Sequence, residues 1–216
     1  MGIGHVAIGF AAKRAAPSVP LALLLLAAML CDVLWSAFIL LGVEHARIVP
    51  GITAASPLDF YDYPLSHSLA GTALWTALAL VAFLLFRDDR RAAAVVGGCV
   101  LSHWALDVIS HRPDVPLGWH GPHLGLGLWN SLPASVAVEE AMLVLGILLY
   151  LAATRANNRG GTWGLAAFAI AIAVLGAAGY LAPPAPSIAA VAAGNLGGGL
   201  FVLIAHAIDR QRSAAA

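Results

Sequence analysis

Long apolar runs separated by short polar stretches dominate the chain. Six of them approach the roughly 20 residues that a helix rising about 1.5 Å per residue needs to cross a bilayer. They fall at residues 20–43, 66–86, 92–111, 134–154, 162–182 and 187–208. A shorter apolar segment from Ile3 to Lys13 is too brief to cross, which predicts a helix that lies at the interface or dips in as a re-entrant half-helix. The fold class expected is therefore all-α, a polytopic membrane helical bundle in a single domain over residues 1–216. Gly194 and the run Gly197-Gly198-Gly199 in the last span suggest close helix packing. Most connections are short. The exceptions are residues 44–65 and 112–133, rich in Pro, Gly, Asp, His and aromatics, and long loops of that kind tend to carry function.

Nine of the eleven basic residues fall on one side of this arrangement: Lys13, Arg14, Arg87, Arg90, Arg91, Arg155, Arg159, Arg210 and Arg212. Only Arg47 and Arg112 fall on the other. The positive-inside rule then predicts both termini in the cytoplasm and both long loops outside, which suits an even number of spans. Composition agrees, with 61% hydrophobic and 10% charged residues and a mean hydropathy of +0.87, against about 25% charged in a typical soluble domain. Eleven basic residues balance eleven acidic ones and no basic run stands out, which argues against nucleic acid as a partner. The partners expected are membrane lipids and a small-molecule or lipid substrate. Cys31 and Cys99 lie within apolar spans and read as small buried hydrophobes. Leu30 stands where a lipoprotein cleavage site wants a small residue, so the first long run reads as a retained anchor.

Against this background the ionisable residues inside the spans stand out. An acid or base at the bilayer centre costs roughly 2.5–3.5 kcal/mol on insertion scales, and such residues mark functional sites. His103 and Asp107 are four residues apart, on one helix face, with His111 at nearly the same angle. Asp32 lies midway along the first span and His67 near the outer start of the second. Glu139 and Glu140 follow the start of the fourth span, and because neighbours point about 100° apart only one can face a shared pocket; Glu139 is taken as that one. All these positions fall toward the outer half of the membrane, where one pocket can hold them. Each has a plainer reading: an interhelical hydrogen bond for His103 with Asp107, a cap or kink for Asp32, an interfacial histidine at 67, and a helix-dipole effect for the glutamates. Asp59 and Asp62 stand just before His67, within reach of the pocket mouth or in turn chemistry, and His120 and His123 sit in a wet loop.

Histidine and carboxylate ligands without thiolates suit a divalent ion, Zn foremost, with Mn or Fe as alternatives. Such a site favours metal-assisted hydrolysis of an ester or phosphoester. There His111 would relay protons, Glu139 would be a further catalytic acid, and Arg112 would hold an anionic oxygen. No phosphate-binding glycine loop with a lysine, nucleophile elbow or His-Glu-x-x-His is present. Two other classes keep the same residues. A transporter would use Asp32, Asp107 and Glu139 to relay protons or bind a cation, and a haem protein would pair intramembrane histidines.

Gly4-His5 with Gly9, Asp32 after a long apolar run, Ser66-His67-Ser68 and His103-x-x-x-Asp107 together resemble the YdjM-like family of bacterial inner-membrane proteins described as metal-dependent hydrolases. The resemblance covers roughly the first half of the chain. It implies a membrane-embedded helical fold, hydrolase activity, and metal ligation by His5, Asp32, His67, His103 and Asp107. Family members often carry a second acid close to the Asp32 position; here Val33 and Leu34 follow, which weakens the case for two metals. His5 joins such a site only if the segment 3–12 is re-entrant.

Overall fold

The computed structural model describes residues 1–215. It is an all-α bundle with three short two-stranded ribbons in its loops. Helix α1 spans Gly2–Ala12 and is followed by α2 (Leu21–Ala28) and α3 (Leu30–Leu40). A hairpin of β1 (His45–Ile48) and β2 (Leu58–Asp62) leads to the single-turn α4 (Pro64–His67), α5 (Leu69–Phe86) and α6 (Arg90–Ser110). The second long loop carries β3 (Val115–Pro116), β4 (His123–Leu124) and a 3-10 turn at Leu128–Asn130, before α7 (Leu132–Ala153). Then come β5 (Thr154–Ala156), α8 (Arg159–Leu181), α9 (Ile188–Gly197), α10 (Gly199–Asp209) and β6 (Arg212–Ala214).

Among the described residues five segments are long and apolar enough to span a membrane, with α9 and α10 forming one of them, and α2 with α3 makes a sixth if taken as one bent span. Starts are set by polar caps: the side chains of Ser68, Asp89, Asn158 and Ser187 accept from Gly71, Ala92, Gly161 and Ala190 amides at 2.8–3.1 Å. The first span differs from expectation. Instead of running unbroken over 20–43 it bends by 57° at Met29, so Asp32 lies in the first turn of a new helix rather than in the middle of an old one. An acid there meets the positive end of the helix dipole.

The other departure from a simple bundle is α1, which lies inside it, packed on α7, α2 and α6. Small residues permit this. A Cβ added at Gly146 of α7 would stand 2.4 Å from the Ala7 carbonyl oxygen, and one at Gly9 would stand 2.9 Å from the Leu25 Cα. Where lipid is as apolar as leucine, such close backbone approach is a main source of helix association. Phe10, Leu25, Leu143, Tyr150 and Phe168 fill the adjoining core, and Leu24, Ala28, Cys31, Val96 and Val100 form a second cluster around α2 and α6. Both cysteines are free and buried. α1 is tied at its far end, where Lys13 Nζ lies 2.8 Å from Asp209 Oδ2. It therefore points inward from the basic end of the molecule, and Met1 lies beside Asp107 rather than beside Lys13.

Candidate metal centre

Four elements bring five ligand-type side chains together. α6 supplies His103 and Asp107, α1 supplies His5, α3 supplies Asp32 and α4 supplies His67. His5, His103 and Asp107 form one group whose ligand atoms lie within 4.8 Å of one another, and Asp32, His67 and His103 form another. His103 belongs to both. All are buried except Asp32, whose side chain is 23% exposed and faces the adjoining cavity.

The orientation of each imidazole is fixed from behind. The break at Met29 frees the Ala28 carbonyl, which an unbroken helix would pair with the Asp32 amide; it accepts from His103 Nδ1 at 2.8 Å. Glu44 accepts from the Ser66 amide at 2.8 Å and the Ser66 hydroxyl at 2.5 Å, and that hydroxyl oxygen in turn takes the Nδ1 proton of His67 at 2.7 Å. Burial pushes the Glu44 carboxyl above the usual carboxylate range, and its bonds to Ser66 oppose the shift. With both Nδ1 atoms committed, each imidazole in its neutral form turns an Nε2 lone pair toward the cluster.

Those two Nε2 atoms are 3.2 Å apart. His103 Nε2 is 3.2 Å from Asp107 Oδ2 and 3.8 Å from Asp32 Oδ1, and His67 Nε2 is 3.6 Å from each of these oxygens. Asp107 Oδ2 is buried and accepts no hydrogen bond. Lone pairs and carboxylate oxygens crowded in this way repel one another unless a cation or a shared proton lies among them. Metal–ligand bonds of about 2.0–2.1 Å put tetrahedral ligand atoms about 3.3 Å apart, so the donor set and its spacing fit a divalent ion. His5 stacks on His103, ring centroids 3.6 Å apart and planes within 5°, with its Nε2 3.1 Å from Asp107 Oδ1. The Met1 amine lies 2.9 Å from the same oxygen.

A cavity of about 310 Å³ opens over the cluster, lined by Asp32, His67, Asp107, His111 and Glu139 together with apolar and aromatic side chains. His111 is backed by Asp114, with Nδ1 3.0 Å from Oδ1, while its Nε2 lies 3.8 Å from Asp107 Oδ1. The Tyr63 hydroxyl donates to the Asp114 carbonyl at 3.2 Å. Burial, followed by the nearby Asp114 charge, holds that phenol well above its ordinary range, so it stays a proton donor.

Two expected catalytic residues have other tasks. Glu139 reaches the cavity, and it is more buried than Glu140. Yet its carboxylate accepts from the amides of Ile3 at 2.7 Å and Gly4 at 3.3 Å and from the Tyr180 hydroxyl. It thus caps the first turn of α1 and positions His5. Arg112 is not among the cavity-lining residues; its guanidinium pairs with Asp59 and with Asp114 at 3.0 Å, so the role of holding an anionic oxygen has no geometry here. Asp59 also pairs with Arg47 at 2.6 Å, and Asp62 with His45 at 2.8 Å, which makes both aspartates struts of the outer hairpin. His120 and His123 are exposed. Glu44, Ser66, Asp114, Tyr63 and the Ala28 carbonyl gave no signal as supports of a site; only the Ser66-His67-Ser68 tract hinted at one.

No family model, curated protein or solved structure matches the chain.

Proposed function

We propose that this protein is a metal-dependent hydrolase of the YdjM-like kind, embedded in the bacterial inner membrane, with its ligand cluster toward the outer face and its basic end in the cytoplasm. The substrate class is a lipid-like ester or phosphoester. The observation that carries this reading is the meeting of two imidazole Nε2 atoms, each with its Nδ1 proton committed elsewhere, beside a buried carboxylate oxygen that accepts nothing.

Asp32, His67, His103 and Asp107 would hold the ion, with His5 on Asp107 as a fifth candidate ligand. Zn suits this donor set best. Such an ion supplies Lewis acidity and makes water a competent nucleophile near neutral pH. The chain contributes the rest. His111 Nε2 faces the cavity with its Nδ1 proton directed to Asp114, the arrangement of an imidazole that takes a proton from attacking water and returns it to the leaving group. Trp35, Phe60 and Trp129 wall the space and limit access of bulk solvent.

Elemental analysis of protein purified from metal-replete cells tests the reading. Near-stoichiometric Zn, Mn or Fe is expected, lost in Asp107→Ala while helicity by circular dichroism is kept. Wild-type protein free of metal would remove the mechanism.

A further inference from the structure

The walls of the cavity are unequal. Above it, residues 55–58 form a roof: the Ala55 amide donates to the Trp129 carbonyl at 2.9 Å, Thr53 and Ser56 close their own turn, and Asp59 behind them is held by Arg47 and Arg112. To the side, the wall is made by Gly176, Gly179 and Tyr180 at the end of α8 and by Val191 and Asn195 of α9. These helices are consecutive in sequence but diverge. α9 lies against α3, α10 lies against α8 and α2, and α8 and α9 have next to no contact with each other.

Three further observations describe what this gap admits. A Cβ placed on Gly179 would meet nothing within 4 Å, so the α8 edge is thin. Asn195 is an exposed amide within an otherwise apolar span, and it stands on the α9 edge. Inside, the indole N–H of Trp35 is buried without an acceptor, in a side chain only 2% exposed. Each carries an N–H from which an ester oxygen could accept. None of the lining side chains is Lys or Arg, while Asp32 and Asp107 would be spent on the ion, Glu139 on the amides of α1, and the Met1 amine lies on Asp107, so the lining sets no charge requirement on the headgroup.

Resting on the hydrolase reading, we infer that the substrate is a membrane lipid that reaches the site sideways between α8 and α9, presenting a carboxylic ester to the ligand cluster while its chains remain in the bilayer. In the reaction the water oxygen bonds to the acyl carbon, the ester C–O bond breaks, and the alcohol oxygen leaves with the proton carried by His111. Nothing is oxidised or reduced.

The test uses full-length protein reconstituted in vesicles of equal phosphatidylcholine and phosphatidylglycerol. It reads retained lipid by native mass spectrometry, released fatty acid and metal content. Wild type should retain lipid and release fatty acid. Gly179→Leu should lose both by about tenfold with metal content unchanged. Gly194→Leu, where a Cβ also meets nothing within 4 Å but which lies outside the cavity, is the control and should behave as wild type. Unchanged lipid retention in Gly179→Leu, or equal loss in both variants, would overturn the lateral route. Metal-loaded protein that cleaves a short soluble ester but retains no lipid would sink the route and spare the hydrolase reading. Retained lipid with no hydrolysis of any ester would do the reverse.

Discussion

Glu44 acts on the centre without touching it. Its carboxylate holds Ser66, Ser66 holds His67 Nδ1, and the free Nε2 is thereby aimed at Asp32 and Asp107. Partners that orient a ligand in this way typically contribute 10–100-fold to metal affinity, so Glu44→Gln and Ser66→Ala should each weaken binding by about that factor in a metal titration. The sign of the pH dependence follows from burial. Because the Glu44 carboxyl is raised, it takes up a proton at higher pH than an ordinary glutamate as acid is added. The proton removes the acceptor for Ser66, and metal affinity in the wild type should begin to fall earlier than ordinary carboxylate titration would dictate. Glu44→Gln should lack that early step. Asp32, His67, His103 and Asp107 were legible because imidazole and carboxylate are rare in apolar spans. Glu44 was not, since a lone acid in a loop acquires meaning only when the hairpin returns Ser66 to it.

The elements that matter most for the site are the least regular ones. Apolar run length located the five long spanning segments and the bent α2–α3 pair. Run length could not show the bend at Met29, because neither proline nor glycine stands there and the bend is matched by a bond from His103 seventy-five residues away. Segment 3–12 was open to either an interfacial or a re-entrant reading, and what decides between them is the groove that Gly146 leaves on α7. Gly146→Leu should wedge α1 away at a cost of about 1–3 kcal/mol, lowering the midpoint of thermal unfolding in detergent. Because His5 and the capping amides of Ile3 and Gly4 travel with α1, metal affinity should fall in the same variant even though Gly146 contributes no ligand atom.

At the scale of the whole molecule, the two ends are built differently. The end that carries the two long loops is held by charge between them, with Arg47, Asp59, Arg112 and Asp114 in one chain of ion pairs. At the other end Asp209 gathers three elements, accepting from Lys13 Nζ at 2.8 Å, the Leu21 amide at 2.9 Å and the Tyr150 hydroxyl at 2.7 Å. Removing one partner of a buried pair typically costs about 3–5 kcal/mol, so Asp209→Ala should destabilise the bundle by up to that amount in a detergent unfolding assay. The loop ion pairs involve the exposed Arg47, and Arg47→Ala should cost far less.

The burial of α1 also bears on how the protein is made. This helix is synthesised before its principal neighbour α7, whose first residue is Leu132, and it is too short to cross a bilayer on its own. Until α7 is made, α1 has α2 and α6 to pack against but lacks the groove at Gly146 that receives it. His5 and Asp107 can meet once α6 exists, yet the Glu139 carboxylate that fixes the first turn of α1 arrives only with α7, so the cluster is locked in place late in synthesis.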